Sequence, residues 1–179
     1  TDPRGRVSRI ESLLEPAQGS KQKRIDDPKR RRRLLRTLGK IGEDSALPLV
    51  RAALKDQDAS IRDAAVRALA EWPTATPRGD VLKIAGSSKN LIHQVLALRG
   101  FVRMVGMEKF QAPEAAVESL QVALKLASRP EEKILVLGVL PDFACAEALA
   151  LAKAQLKDKR VLAEAEAAVL KITKSLKIE

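Results

Sequence analysis

The sequence predicts an all-helical fold built as a solenoid, from its composition, an internal repeat and the helical spacing of its apolar residues. The 179 residues include 27 Ala and 25 Leu but no Tyr, three Phe and one Trp. Such side chains suit close packing of helices, whereas strands draw on aromatic and β-branched residues. A pattern recurs about every 31 residues: it opens at Asp27, again at Asp58 and again at Lys89. After an insertion of roughly ten residues it returns at Pro130 and at Asp158. One such unit cannot bury its apolar face alone, and stacking successive units makes one continuous core. Apolar residues form 45% of the chain, enough for that core without disulfides or metal.

Each element follows from local signals. Val7, Ile10, Leu13 and Leu14 fall on one face of a first helix, ended by Pro16 and Gly19. Residues 18–27 read as a basic loop, and Asp27-Pro28 supplies a cap followed by a residue with helix-ready φ. Leu34, Leu35, Leu38 and Ile41 form the next stripe, with Gly39 and Gly42 marking its end. Residues 46–54 make a partner helix with Pro48 in its first turn. Asp58 caps a helix carrying Ile61, Ala65, Ala68 and Leu69 that stops at Trp72-Pro73, and Thr76-Pro77 is expected to cap the next. The helix over 91–105 is apolar on more than one side, which predicts neighbours on both flanks. Residues 106–112 read as the inserted loop, and Pro113 opens a helix with Val117, Leu120 and Leu124 inward. Ser128 and Glu131 suggest a capping box across Pro130. Residues 144–156 and 161–176 form the last pair, which makes about five antiparallel pairs. The expectation is a single domain over 1–179, with units at 5–41, 43–73, 76–106, 113–141 and 144–177.

Several function classes are disfavoured at once. No apolar run approaches the roughly 20 residues of a membrane span. The nine glycines are scattered, in neither dinucleotide nor P-loop spacing. His93 is the one histidine, set in an apolar helix where a packed, hydrogen-bonded role is expected. Cys145 follows Phe143-Ala144 and reads as a buried thiol. No His, Cys and carboxylate group has metal-ligand spacing along the chain. Neither catalytic residues nor a cofactor or metal site is expected. The chain opens at Thr1, without an initiator Met or a signal pattern, and reads as a piece of a longer protein. Its compartment is not legible.

Asp58-Ala-Ser-Ile61-Arg62-Asp-Ala64-Ala65, a turn bearing Asp followed by hydrophobic-Arg and Ala-Ala, resembles the HEAT repeat. The junction from Gly39 to Leu49 is similar to that of bacterial members, and the likeness covers nearly the whole chain. It implies a right-handed α-α superhelix, a HEAT-like α-solenoid of the armadillo-like helical kind. It also implies a ladder of ion pairs between units, Asp27 with Arg31 or Arg32 and Asp58 with Arg62, which weakens where Lys89, His93 and Lys133 replace the pattern. More narrowly, the segments 70–77, 95–103 and 130–138 resemble a bacterial HEAT module found within larger multidomain proteins, some of them with carbohydrate-active or other secreted domains. The resemblance thus leaves room for a secreted or periplasmic parent. Its implied role is a non-enzymatic scaffold that binds another protein or a neighbouring domain.

Charge is the sharpest functional signal. Residues 1–36 hold 12 Lys or Arg against 5 Asp or Glu, +7 of the chain's +10. Lys29, Arg30, Arg31, Arg32 and Arg33 crowd one helix start, where the macrodipole disfavours cations and where at least two must face solvent. Stepping from Arg36 by the repeat leads to Arg67 and then beside Arg99, with Arg103 one turn on, a possible basic stripe on the concave side. These residues are candidates for partner binding and, as the alternative, for nucleic-acid backbone binding. Met107 and Phe110 add apolar candidates in the inserted loop. Base-excision chemistry is disfavoured, since the lone Trp72 stands before Pro73 where packing is expected.

Overall fold

The computed structural model describes residues 2–14, 27–109 and 111–177. Pro16, Gly19 and most of the expected basic loop lie outside the described residues. The described residues hold ten α-helices, two 3-10 turns and no strand, the all-α fold the sequence predicts. Chain contacts define two compact units, the first ending at Gly100 and the second beginning at Phe101.

The first unit contains α1 (Pro3–Leu14), α2 (Pro28–Ile41), α3 (Leu47–Ala53), α4 (Ala59–Ala70), α5 (Arg78–Ser87) and the start of α6 (Leu91–Met107). The Asp27 carboxylate accepts the Lys29 N–H at 3.0 Å and Pro28 occupies the first helical position, so α2 starts where predicted. α2 packs along α4, and Leu35, Leu38, Ile61, Ala65 and Leu69 are buried. Gly39 does not end α2 as its sequence position suggested. It sits inside the helix, where a Cβ would stand 2.7 Å from the Ala68 Cα, so its missing side chain lets the two helices approach. Gly42 alone ends the helix, at φ 70°, and its N–H donates to the Leu38 carbonyl at 2.9 Å.

A 3-10 turn at Asp44–Ala46 leads into α3, with Pro48 in its first turn. Asp44 is a tie point. Its carboxylate accepts the Trp72 indole N–H at 3.2 Å and the Thr76 hydroxyl at 2.7 Å, and Trp72 is fully buried. Thr76 therefore does not cap α5, because its hydroxyl is committed to the preceding repeat and α5 begins two residues later. Asp58 caps α4 through the Ser60 N–H at 2.7 Å, as expected.

The second unit contains the end of α6, then α7 (Pro113–Leu126), α8 (Pro130–Val139), α9 (Ala146–Gln155) and α10 (Leu162–Leu176). α7 packs on α8 and α9, and α10 packs on α8 and α9, burying Leu120, Leu137, Leu140, Phe143 and Ile172. The capping box expected of Ser128 and Glu131 does not form, and only a reciprocal half of one is found, a residue further on. Pro130 takes the first helical position, so Arg129 is the cap and its N–H donates to Glu132 at 2.8 Å. Glu132 is buried and also receives the Arg129 guanidinium.

α6 departs from its reading in two ways. Its helix runs to Met107, so Gly106 and Met107, read as part of the inserted loop, are helical. Its first turn is open to solvent, with Leu91 55% and Ile92 58% exposed, Val95 and Leu96 half-buried and full burial beginning at Ala97.

Candidate interaction surfaces

The ladder between repeats exists in a different register from the one the resemblance implied. Arg31, the fourth residue of α2, donates to Asp56 at 2.6 Å. Lys133, the fourth residue of α8, donates to Asp158 at 2.9 Å. Both carboxylates lie 25 residues ahead of their cation. Each also accepts the N–H two residues on, from Asp58 at 2.9 Å and from Arg160 at 3.2 Å. The acceptor is thus a turn aspartate ahead of α4 or α10, not the helix cap. Asp27 is occupied with its own cap, and Arg62 turns back to the carbonyls of Asp56 and Gln57, both at 2.7 Å, instead of pairing with Asp58. Arg32 contributes to holding Asp58 below the usual carboxylate range, after the larger effect of Ser60. The ladder does not lapse where it was expected to weaken, since Lys133 and His93 both meet carboxylates, and Arg51 adds a rung that sequence reading missed. Arg51 pairs with Asp80 at 2.8 Å, and His93 meets Asp63 at 3.3 Å.

The predicted partner-binding residues divide between this ladder and solvent. Arg31 and Arg32 are half-buried, Arg31 as a rung. Lys29, Arg30, Arg33 and Arg36 are exposed and in no ion pair among the described residues, and Lys40 joins them. Lys29, Arg33, Arg36 and Lys40 follow i, i+4, i+7, i+11 spacing, one face of α2. The step to Arg67 is interrupted, because its guanidinium donates to Asp63 at 2.9 Å. Burial opposes the Asp63 charge, but Arg67 and then His93 outweigh it and hold that carboxyl below its ordinary value. Arg99 is exposed in the first unit. Arg103 belongs to the second, half-buried with the Met107 Sδ as acceptor at 3.5 Å. Met107 is 43% exposed at the end of α6, and Phe110 lies outside the described residues.

A second surface was hidden from sequence reading. Glu114 at the start of α7, Cys145 as the cap of α9 and Glu147 in its first turn bring a ligand atom each within 4.8 Å of one another. Glu114 stands 31 residues from Cys145, and only the pairing of α7 with α9 joins them. The thiol accepts the Ala148 N–H at 3.4 Å, and burial pushes it above its ordinary value, so it stays protonated and is a poor metal ligand. A groove of about 540 Å³ runs from this cluster between α7 and α9. Val117, Ala150, Leu151 and Ala154 supply its apolar lining, and Glu114, Glu118, Glu147 and Gln121 its polar lining.

Within each compact unit, packed helices tied by cation-to-carboxylate rungs that reach the following repeat define an α-helical repeat architecture. Residues 23–89, from the approach to α2 through α5, match the family model described as HEAT repeats. No curated protein matches it. HEAT repeats generally act as scaffolds for protein interaction and are typically not enzymes. No helix among the described residues is long and apolar enough to cross a membrane.

Proposed function

We propose that this chain is a non-enzymatic scaffold whose α2 presents a row of cations to an acidic surface on another protein or protein domain. The observation that carries the reading is a contrast. Arg31, Arg51, Arg67, Arg129, Lys133 and Arg160 are engaged with carboxylates, whereas Lys29, Arg30, Arg33, Arg36 and Lys40 are in no ion pair among the described residues. Cations near a helix N-terminus work against the macrodipole, a cost that a bound anionic surface offsets. Residues 1–100 carry 21 of the 33 basic residues against 12 of the 23 acidic ones, so the charge is concentrated in the first unit.

Phosphate-backbone binding is the second reading, because the row from Lys29 to Lys40 spans about 16 Å at 1.5 Å per residue and could follow successive phosphates. Against it, the chain has no Tyr, and Trp72, Phe101 and Phe143 are buried, leaving no stacking platform among the described residues. The test is fluorescence anisotropy of duplex DNA and single-stranded RNA across a salt series. The comparison variant changes Lys29, Arg30, Arg33 and Arg36 to Ser and keeps Arg31, whose loss would break the ladder. Weak binding that vanishes toward physiological salt supports the protein scaffold. Tight binding there that the variant abolishes overturns it in favour of nucleic acid.

A further inference from the structure

The groove between α7 and α9 combines a smooth apolar floor with unbalanced negative charge. Ala150 and Ala154 lie one turn apart on α9 and are exposed, and their small side chains leave a furrow beside Val117 and Leu151. Glu114 and Glu118 stand one turn apart on α7, with Glu147 on α9. No Lys or Arg lines the groove, and none of these three carboxylates is in an ion pair among the described residues. At one end the Glu114 and Glu147 oxygens converge within 4.8 Å, a like-charge approach that a cation between them would relieve. A guanidinium suits that position, since its planar fork can donate to two carboxylates at once. The volume of about 540 Å³ accommodates a row of apolar side chains. This charge pattern stands out within a chain of net charge +10.

We propose that the α7/α9 groove docks an arginine-bearing amphipathic helix of another protein, its apolar ridge on Val117, Ala150, Leu151 and Ala154 and an arginine between Glu114 and Glu147. The inference rests on the scaffold reading but assigns a second partner chemistry, to the second unit. An occupant with an apolar ridge follows from the floor, and its positive charge follows from the rim. A purely polar basic segment would leave the floor wet, and an acidic helix would meet three like charges.

The experiment uses the full chain and a fluorescein-labelled, amidated peptide, Ala-Arg-Ala-Leu-Lys-Ala-Leu-Ala-Arg-Lys-Leu-Ala-Lys-Ala, in anisotropy titrations. Saturable binding is expected, weakened about tenfold by Glu114→Gln with Glu147→Gln and by replacing the peptide arginines with alanine. Ala150→Trp, at an exposed site that leaves the core untouched, fills the furrow and is expected to abolish binding while circular dichroism stays unchanged. Changing Lys29, Arg30, Arg33 and Arg36 to Ser leaves this binding intact, which separates the groove from the α2 surface. Absence of saturable binding, or binding indifferent to the glutamate and Ala150 changes, overturns the proposal. Salt-sensitive self-association of the peptide-free chain, lost with the same glutamate changes, overturns it in favour of a second copy as the occupant.

Discussion

Gly39 and Gly138 are both helical glycines, yet alanine should have opposite effects at the two positions. At Gly39 a Cβ would lie 2.7 Å from the Ala68 Cα, 2.9 Å from its Cβ and 3.0 Å from its carbonyl oxygen. Ordinary carbon contacts sit near 3.5–4.0 Å, so α2 and α4 must separate by about 1 Å, and backbone cannot swing aside as a side-chain tip can. Overpacking of this kind costs about 1–3 kcal/mol, and the upper part of that range applies because two backbone atoms are struck together. Replacing a helix-interior glycine returns about 1 kcal/mol, leaving Gly39→Ala destabilised by about 2 kcal/mol. At Gly138, in α8, nothing lies within 4 Å of the added Cβ, so Gly138→Ala keeps only the helix gain of about 0.5–1 kcal/mol. Urea unfolding followed by circular dichroism and by the fluorescence of the buried Trp72 reads both. In melting temperature the two variants should differ by roughly 5–12 °C, at about 2–4 °C per kcal/mol for this size. A Gly39→Ala protein as stable as Gly138→Ala would refute the close α2/α4 approach.

Other consequences follow from the rungs and the thiol. A double-mutant cycle of Arg31→Met and Asp56→Asn should give a coupling of about 1–2 kcal/mol, since both side chains are only 16% exposed; coupling near zero would mean the rung is not formed. Asp158 is held well below the usual carboxylate range by Arg160 and then Lys133, and Asp63 is also lowered. Both folded values lie under the unfolded value of about 3.9, so their contribution is complete above that pH and is lost as pH falls through the folded values. Asp158→Asn should therefore flatten the acid limb of a stability profile, and an unaltered limb would exclude it as a contributor. Cys145 should react with Ellman's reagent at pH 8 more than about 100-fold slower in the folded chain than in urea, because burial both covers the thiol and raises it. Equal rates would show an open thiol.

The fold was legible because its signals are local. Asp27-Pro28 and Asp58 cap where expected, and apolar spacing placed Leu35, Leu38, Ile61 and Leu69 in the core. The errors came where a second helix decides. Gly39 reads as a helix end until Ala68 is seen against it, and Thr76 reads as a cap until Asp44 takes its hydroxyl. The ladder register was within reach, since Asp56 and Asp158 stand at the same offset from the fourth residue of α2 and of α8. Of the basic run, sequence alone could not separate the rung Arg31 from the exposed Lys29, Arg30, Arg33 and Arg36, a distinction set by which side of α2 faces α4. The acidic groove was invisible, because Glu114 and Glu147 belong to different repeats and neither carries a motif.

The most direct test of the scaffold account is quantitative capture from nuclease-treated extract of the source cells, comparing the wild-type chain with the variant carrying Ser at 29, 30, 33 and 36. The account predicts a defined protein partner retained by the wild type after nuclease treatment and depleted about tenfold with the variant. Capture that disappears with the nucleic acid, or that is equal for both chains, would contradict it.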